Sequence, residues 1–393
     1  MKFRRSAISI LLASMLAVLP ACGAENSNAN GSSTASAGSG SEVSADSEDA
    51  GSSASKSADT EAVSASAAGS AVSSISEGAD AFSQLDIPEF TGSVEDLKMP
   101  ELTDTRPEEE KENTITTLNG DEVTYNMNTR KIVCLAGSSD VVAFGIPLLA
   151  YEGTTDITGY EDYYGDAMAL ENSTPFSAEE ILAYEPELIL VNQKMSESNI
   201  ETLSKIAPVI PLYTDSTDFG TRLSYLGEIF GLEDGAKQLI IYAEQLRQGM
   251  LNEMQALNLE GKTLTIYTYM GAITIPPERG WFMNTILFDY LGLGRKENVK
   301  EFMEDESGTA YEAISTEKLK EYEGDMVIYA GFGEKTISTY VTENVGWQSL
   351  DAVQEDRVGV IDITPYAQKG VILLQNQYQQ IYDALKTAGK TNG

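Results

Sequence analysis

The stretch EDGAKQLIIYAEQLRQGMLNEMQAL, Glu233 to Leu257, decides how the chain is built. Ala236, Leu239, Ile240, Ala243, Leu246, Met250 and Met254 recur in it at helical spacing, and the pattern runs on towards Gly261. The spacing predicts a helix of about 23 residues, roughly 35 Å at 1.5 Å per residue, which is long for a crossover between neighbouring strands.

On both sides of this helix, short strand-like runs alternate with helical ones. Thr114–Leu118 and Val123–Tyr125 flank Asn119-Gly120-Asp121-Glu122. Asn-Gly between two such runs is the strongest short signal for a β-hairpin. Strands are then expected at Ile132–Leu135, Leu148–Glu152, Leu188–Asn192 and Val209–Tyr213, with helices beginning at Ser138, Ser177 and Ser196. After the long helix the alternation restarts with strands at Leu264–Tyr269, Met326–Tyr329 and Val358–Ile361. Helices are expected there at Trp281–Leu291, Ser315–Tyr322, Gly346–Ala352 and Gly370–Lys386. Regular alternation of this kind argues for parallel sheets covered by helices. The expected architecture is α/β: two Rossmann-like lobes, residues 113–232 and 258–393, joined by one long helix at 233–257, with a ligand cleft between them. With about 275 residues in play, each lobe is large enough for its own core.

The residues before Asn113 read differently. A basic start (Lys2, Arg4, Arg5), an apolar run from Ala7 to Leu19 and small residues before Cys22 describe a secretory signal at 1–22. The apolar run is too short to span a bilayer of roughly 30 Å. Leu19-Pro20-Ala21-Cys22 resembles the bacterial lipobox, which makes Cys22 the expected lipidation site and a stable membrane anchor; Pro20 is unusual within it. Residues 23–112 begin almost entirely with Ser, Ala, Gly, Asp and Glu and end in the charged run Pro107–Glu112. They are read as a disordered tether, because such a composition buries too little apolar surface to offset ordering entropy.

The composition excludes much. The chain has no histidine, which removes imidazole-based metal sites and Ser-His-Asp or Cys-His catalysis. No phosphate-binding or dinucleotide-binding glycine motif is present, so no enzymatic activity and no resident cofactor or metal is expected. The net charge of −35 argues against nucleic acid and suits a solvated monomer. Cys134, within Ile132-Val133-Cys134-Leu135, reads as a small core residue.

Several blocks carry a family resemblance. Ser177-Ala178-Glu179-Glu180-Ile181-Leu182-Ala183-Tyr184-Glu185-Pro186-Glu187-Leu188 is similar to a block of the helical-backbone substrate-binding proteins that serve ABC importers of iron–siderophore, haem and cobalamin. Leu203–Leu212, Leu287–Leu293, Ile314–Leu319, Trp347–Val353 and Arg357–Asp362 resemble further blocks in the same order. The resemblance covers about residues 113–387. It implies a binding protein outside the cytoplasm that captures a ferric chelate and delivers it to a membrane permease. Cobalamin or haem is the alternative cargo, and a surface sensor without a transporter the alternative role.

The resemblance also implies that Glu179 and Glu317, each near a helix start after a serine, dock onto permease arginines. Both equally suit helix capping, and Glu180 is the alternative to Glu179. Ligand contacts are expected after strand ends: Ser138 and Ser139, Lys194 and Tyr213–Asp215 in the first lobe, and Tyr269, Arg279, Trp281, Phe332 and Tyr366 in the second. Arg279-Gly280-Trp281 sets a guanidinium beside an aromatic plate, a pairing suited to an anionic chelate with flat arms.

Overall fold

The computed structural model describes residues 85–390, except 154–156, 172–175, 214–217, 260, 277–281, 304–312, 334–335 and 364–369. The expected signal, Cys22 and most of the expected tether therefore lie outside the described residues.

The first strands are the antiparallel pair β1 (Glu112–Thr116) and β2 (Glu122–Asn126), paired from Glu112–Asn126 to Thr116–Glu122. Gly120 in their turn has φ +88°, a conformation glycine adopts without a Cβ clash. Ile115 and Tyr125 face inward, and the Tyr125 hydroxyl donates to the Ile229 carbonyl at 2.7 Å.

The first lobe holds five parallel strands in the order β5-β4-β3-β6-β7: β3 (Ile132–Cys134), β4 (Ala150–Tyr151), β5 (Met168–Ala169), β6 (Leu188–Asn192) and β7 (Val209–Leu212). Its central strands are almost continuously apolar because helices cover both faces. Alternation along them then sorts the core. Ile132, Cys134, Leu188, Leu190, Ile210 and Leu212 pack towards the long helix. Val133, Ile189, Val191 and Val209 pack with Ile181 of helix α1 (Ala178–Ala183) and Leu203 of helix α2 (Glu197–Leu203) on the other face. Cys134 is fully buried, which pushes its thiol pKa up.

A helix absent from the expectations, α3 (Phe219–Phe230), precedes the long helix α4 (Glu233–Ala256). Asp218 caps α3 by accepting from Gly220 N at 2.8 Å, and Gly231, at φ +63°, ends it.

The second lobe departs from a purely parallel sheet. Its order is β11-β10-β8-β9, where β8 (Leu264–Tyr269), β10 (Met326–Gly331) and β11 (Val358–Asp362) run parallel and β9 (Ile273–Thr274) folds back antiparallel on β8. The helix expected at Trp281–Leu291 is a turn at Phe282–Asn284 continued by a π-helical segment, Thr285–Tyr290. Trp347 is 2% exposed and meets Tyr267 and Tyr329 edge-on at 5.7 and 6.0 Å. The chain finishes on helix α5 (Val371–Ala388).

Two features add to the expectations. One apolar cluster joins the lobes, running from Ile132 and Leu190 through Leu239, Leu246 and Met250 of α4 to Ile266, Ile328 and Tyr378, while Val133, Ile181 and Ile189 belong to a cluster of the first lobe alone. And residues 85–111, expected as disordered tether, pack as a strap. Gln248 Oε1 accepts from Phe90 N at 2.8 Å, and Asn252 donates to the Phe90 and Gly92 carbonyls. Gln375 of α5 donates to the Val94 and Leu97 carbonyls at 2.8 and 2.9 Å. Val94 is fully buried. Arg106, itself buried, pairs with Asp104 at 2.8 Å and donates to the Met127 carbonyl at 2.9 Å. A few apolar anchors and side-chain amides reaching from the helices order a segment whose composition alone predicts no structure. No helix among the described residues is long and apolar enough to cross a membrane.

Candidate functional site

In sheets of this kind, ligands bind beyond the carboxyl ends of the strands. At the end of β3, Gly137 adopts φ +78° and turns the chain into the one-turn helix Ser138–Val141. Ser138, expected to touch ligand, is instead fully buried. Its amide donates to Glu152 Oε1 at 3.1 Å, and its hydroxyl lies 3.0 Å from the Tyr164 hydroxyl. Ser139 shares the same phenol at 3.2 Å, and Tyr164 packs on Tyr151 at 4.6 Å. Burial pushes the Tyr164 pKa up, keeping the phenol neutral. Both serine hydroxyls are thus taken up by Tyr164 inside the protein.

Below them Asp140 joins three elements. Its carboxylate pairs with Arg222 of α3 and accepts from Val371 N, the first residue of α5, at 2.8 Å. Burial pushes Asp140 up, against the downward pull of Arg222 and the Val371 amide. Gly370 sits so close to Ser139 that any Cβ would run into that side chain. The first lobe is thereby pinned to the last helix of the second.

Of the other expected residues, Lys194 is exposed just past β6, its amide on Asn192 Oδ1 at 2.7 Å. Tyr213, past β7, is half-buried and meets Tyr225 edge-on at 5.4 Å. Tyr269 ends β8 half-buried and stacks on Tyr340, with ring centroids 5.5 Å apart and planes 6° from parallel. Arg279, Trp281 and Tyr366 lie outside the described residues, as does Asp215. The β8–β10 register ends at Ala330 beside Thr268, so continuing it sets Phe332 near Met270. Phe332, Met270 and Tyr340 are 53%, 44% and 71% exposed. The second lobe's strand ends thus present an apolar, aromatic rim. Met270 and Tyr340 were not anticipated, since both follow strand or loop positions without a recognisable spacing. No cluster of His, Cys, Asp and Glu that could hold a metal occurs among the described residues.

Glu179 and Glu317 are both exposed. Ser177 caps α1 by accepting from Glu180 N at 3.2 Å, and Glu180 Oε1 accepts from Glu171 N at 3.1 Å. Glu180 is therefore engaged across the lobe, while Glu179 is exposed and its Oε2 accepts only locally, from Ser177 Oγ at 3.4 Å. Glu317 lies on the 3-10 turn Thr316–Lys318.

Residues 132–364, more than half of the chain, match the periplasmic binding protein family, and the chain belongs to it. That is a family of binding proteins, not of enzymes. Among relatives, the chain is similar to the iron-uptake system-binding protein of Bacillus subtilis (strain 168), 29% identical over 197 residues, or 49% of this chain and 60% of that one. It therefore spans less than two thirds of that relative. It is 25% identical over 225 residues to the iron(3+)-hydroxamate-binding protein YxeB of the same organism, 56% of this chain and 68% of that one. Its fold is that of Staphylococcus aureus SirA, solved with staphyloferrin B, at TM-score 0.56 and 18% identity over 70% of this chain and 98% of that one.

Proposed function

We propose that the protein is the extracellular substrate-binding component of an ABC importer, capturing a siderophore-type ferric chelate between its lobes and handing it to a membrane permease. The observation that carries this reading is the aromatic rim, Tyr269 stacked on Tyr340 beside Phe332 and Met270, at strand ends where such sheets take ligands. The names of the relatives, bound to iron uptake and iron hydroxamates, support the same cargo. Iron is here cargo carried inside its chelate; the protein contributes no resident cofactor. Lys194, Arg279, Trp281 and Tyr366 complete the proposed pocket, the cations answering the chelate's negative charge.

Glu179 and Glu317 are the proposed contacts to permease arginines, and Cys22 the proposed lipid anchor on the outer face of the membrane, with the protein a monomer there. Widely spaced, exposed carboxylates favour orientation and encounter rate over raw affinity. Titration with ferric hydroxamates and ferric catecholates, read by tryptophan quenching and thermal shift, tests the cargo. Trp347 is buried in the second lobe, so Trp281 is the expected reporter. Absence of both quenching and stabilisation with every chelate would overturn the proposal. Release of a Cys22→Ser variant from the membrane fraction would support the anchor.

A further inference from the structure

Seven large apolar side chains are exposed among the described residues. Met270, Phe332 and Tyr340 belong to the strand-end rim, and Tyr163 and Met168 lie elsewhere on the first lobe. The remaining two flank the two exposed glutamates, one in each lobe.

Leu182, 57% exposed, follows Glu179 by three residues on α1, so both side chains share one helix face while Ile181 is buried behind them. Val345, 70% exposed, begins the one-turn helix Val345–Gln348. Asn344 fixes that helix: its Oδ1 accepts from Gly346 N at 2.9 Å and Trp347 N at 3.1 Å, and its Nδ2 donates to Thr316 Oγ1 at 3.3 Å. The Gly346 backbone lies against the Thr316 carbonyl, where a Cβ would not fit. Buried Trp347 anchors the helix from below. Val345 is therefore held, by its neighbours Asn344 and Gly346, beside Thr316, the residue before Glu317.

We infer that Leu182 with Glu179, and Val345 with Glu317, form two matched docking points, each a carboxylate with an aliphatic knob. The partner they fit is the outer face of the permease, carrying in each half a guanidinium beside an apolar recess. An arginine suits both parts, since its head answers the carboxylate and its methylene stem packs on the knob. A lipid surface does not fit, because the carboxylates and a net charge of −35 repel anionic headgroups. The inference rests on the proposed docking role of the two glutamates and adds to it an apolar component that salt does not screen.

The test uses the full-length protein in its own cells, with a photo-crosslinking amino acid at exposed Lys318, beside Glu317. Crosslinked material is identified by mass spectrometry in four backgrounds: no further change, Glu179→Ala with Glu317→Ala, Leu182→Ser with Val345→Ser, and Leu182→Met with Val345→Ile. The expected result is a crosslink to an integral subunit of an ABC permease. It falls roughly tenfold in the Leu182→Ser, Val345→Ser protein, the factor that about 1.4 kcal/mol of lost contact produces, and persists in the Met/Ile protein. Thermal melting should be unchanged, since both side chains are exposed. A loss in the glutamate variant with none in the serine variant overturns the inference and leaves the glutamate docking standing. No permease crosslink in any background overturns both. A crosslink to a second copy of this chain overturns the inference in favour of self-association.

Discussion

Asp140 and Arg222, 82 residues apart, form a buried ion pair whose carboxylate also accepts the first amide of the last helix. Both side chains are almost fully enclosed. Removing one partner leaves an uncompensated charge, so Asp140→Ala should cost about 3–5 kcal/mol in urea unfolding. Asp140→Leu combined with Arg222→Met should recover much of that loss, because a filled apolar site replaces the pair. A double variant no more stable than Asp140→Ala would show that the pair acts through more than its own desolvation.

The strap makes a second prediction. Val94 is fully buried, and Gly249 of α4 faces it, with a Cβ there only 3.2 Å from the Val94 amide and from Phe90. Val94→Ala should lower stability by roughly 1.5–2.5 kcal/mol, the transfer of two methyl groups plus a cavity. Gly249→Leu should lift the strap from α4, seen as faster proteolysis within residues 85–99. Unchanged proteolysis would mean that the strap is held from the α5 side alone.

The Tyr269–Tyr340 stack is the part of the proposed pocket most open to test. Tyr340→Ala should weaken binding of a ferric catecholate about tenfold, the range expected when an aromatic contact is lost. Tyr340→Phe should keep it, because the ring alone makes the stack on Tyr269. Isothermal titration of both variants decides the matter.

Alkaline pH should unfold the protein early. Burial pushes Tyr125 up to about 12, and raises Tyr164, Tyr225, Tyr242 and Tyr267 as well. The folded state keeps these phenols neutral while the unfolded chain ionises them near pH 10. Their contribution is therefore complete below about pH 10 and declines as pH rises from there through about 12. Tyr125→Phe should shallow that decline in a denaturation series above pH 10, and an unchanged slope would contradict it.

Much of the architecture was legible because its signals are local. The apolar period of α4, the Asn119-Gly120 turn and the runs Leu188–Asn192 and Met326–Tyr329 each state their own conformation. Helix α3 carries equally local signals, with Asp218 as its cap and Leu223, Leu226 and Ile229 at helical spacing. The strap and Ser138 are different. Val94 is ordered by Gln375, and Ser138 is covered by Tyr164, partners that only the folded chain brings near. Burial of a polar residue depends on what arrives from elsewhere, and spacing along one segment does not record that.

The contact between Gln375 and Val94 joins residues 281 positions apart. Loop closure over such a span is slow and comes after local structure has formed. The strap leaves the ribosome before either helix and can dock on α4 through Phe90 and Gly92 as soon as that helix forms, but its bonds at Val94 and Leu97 wait for α5. A chain cut short before Val371 would hold its leading segment from the α4 side alone, leaving the stretch around Leu97 more open to degradation.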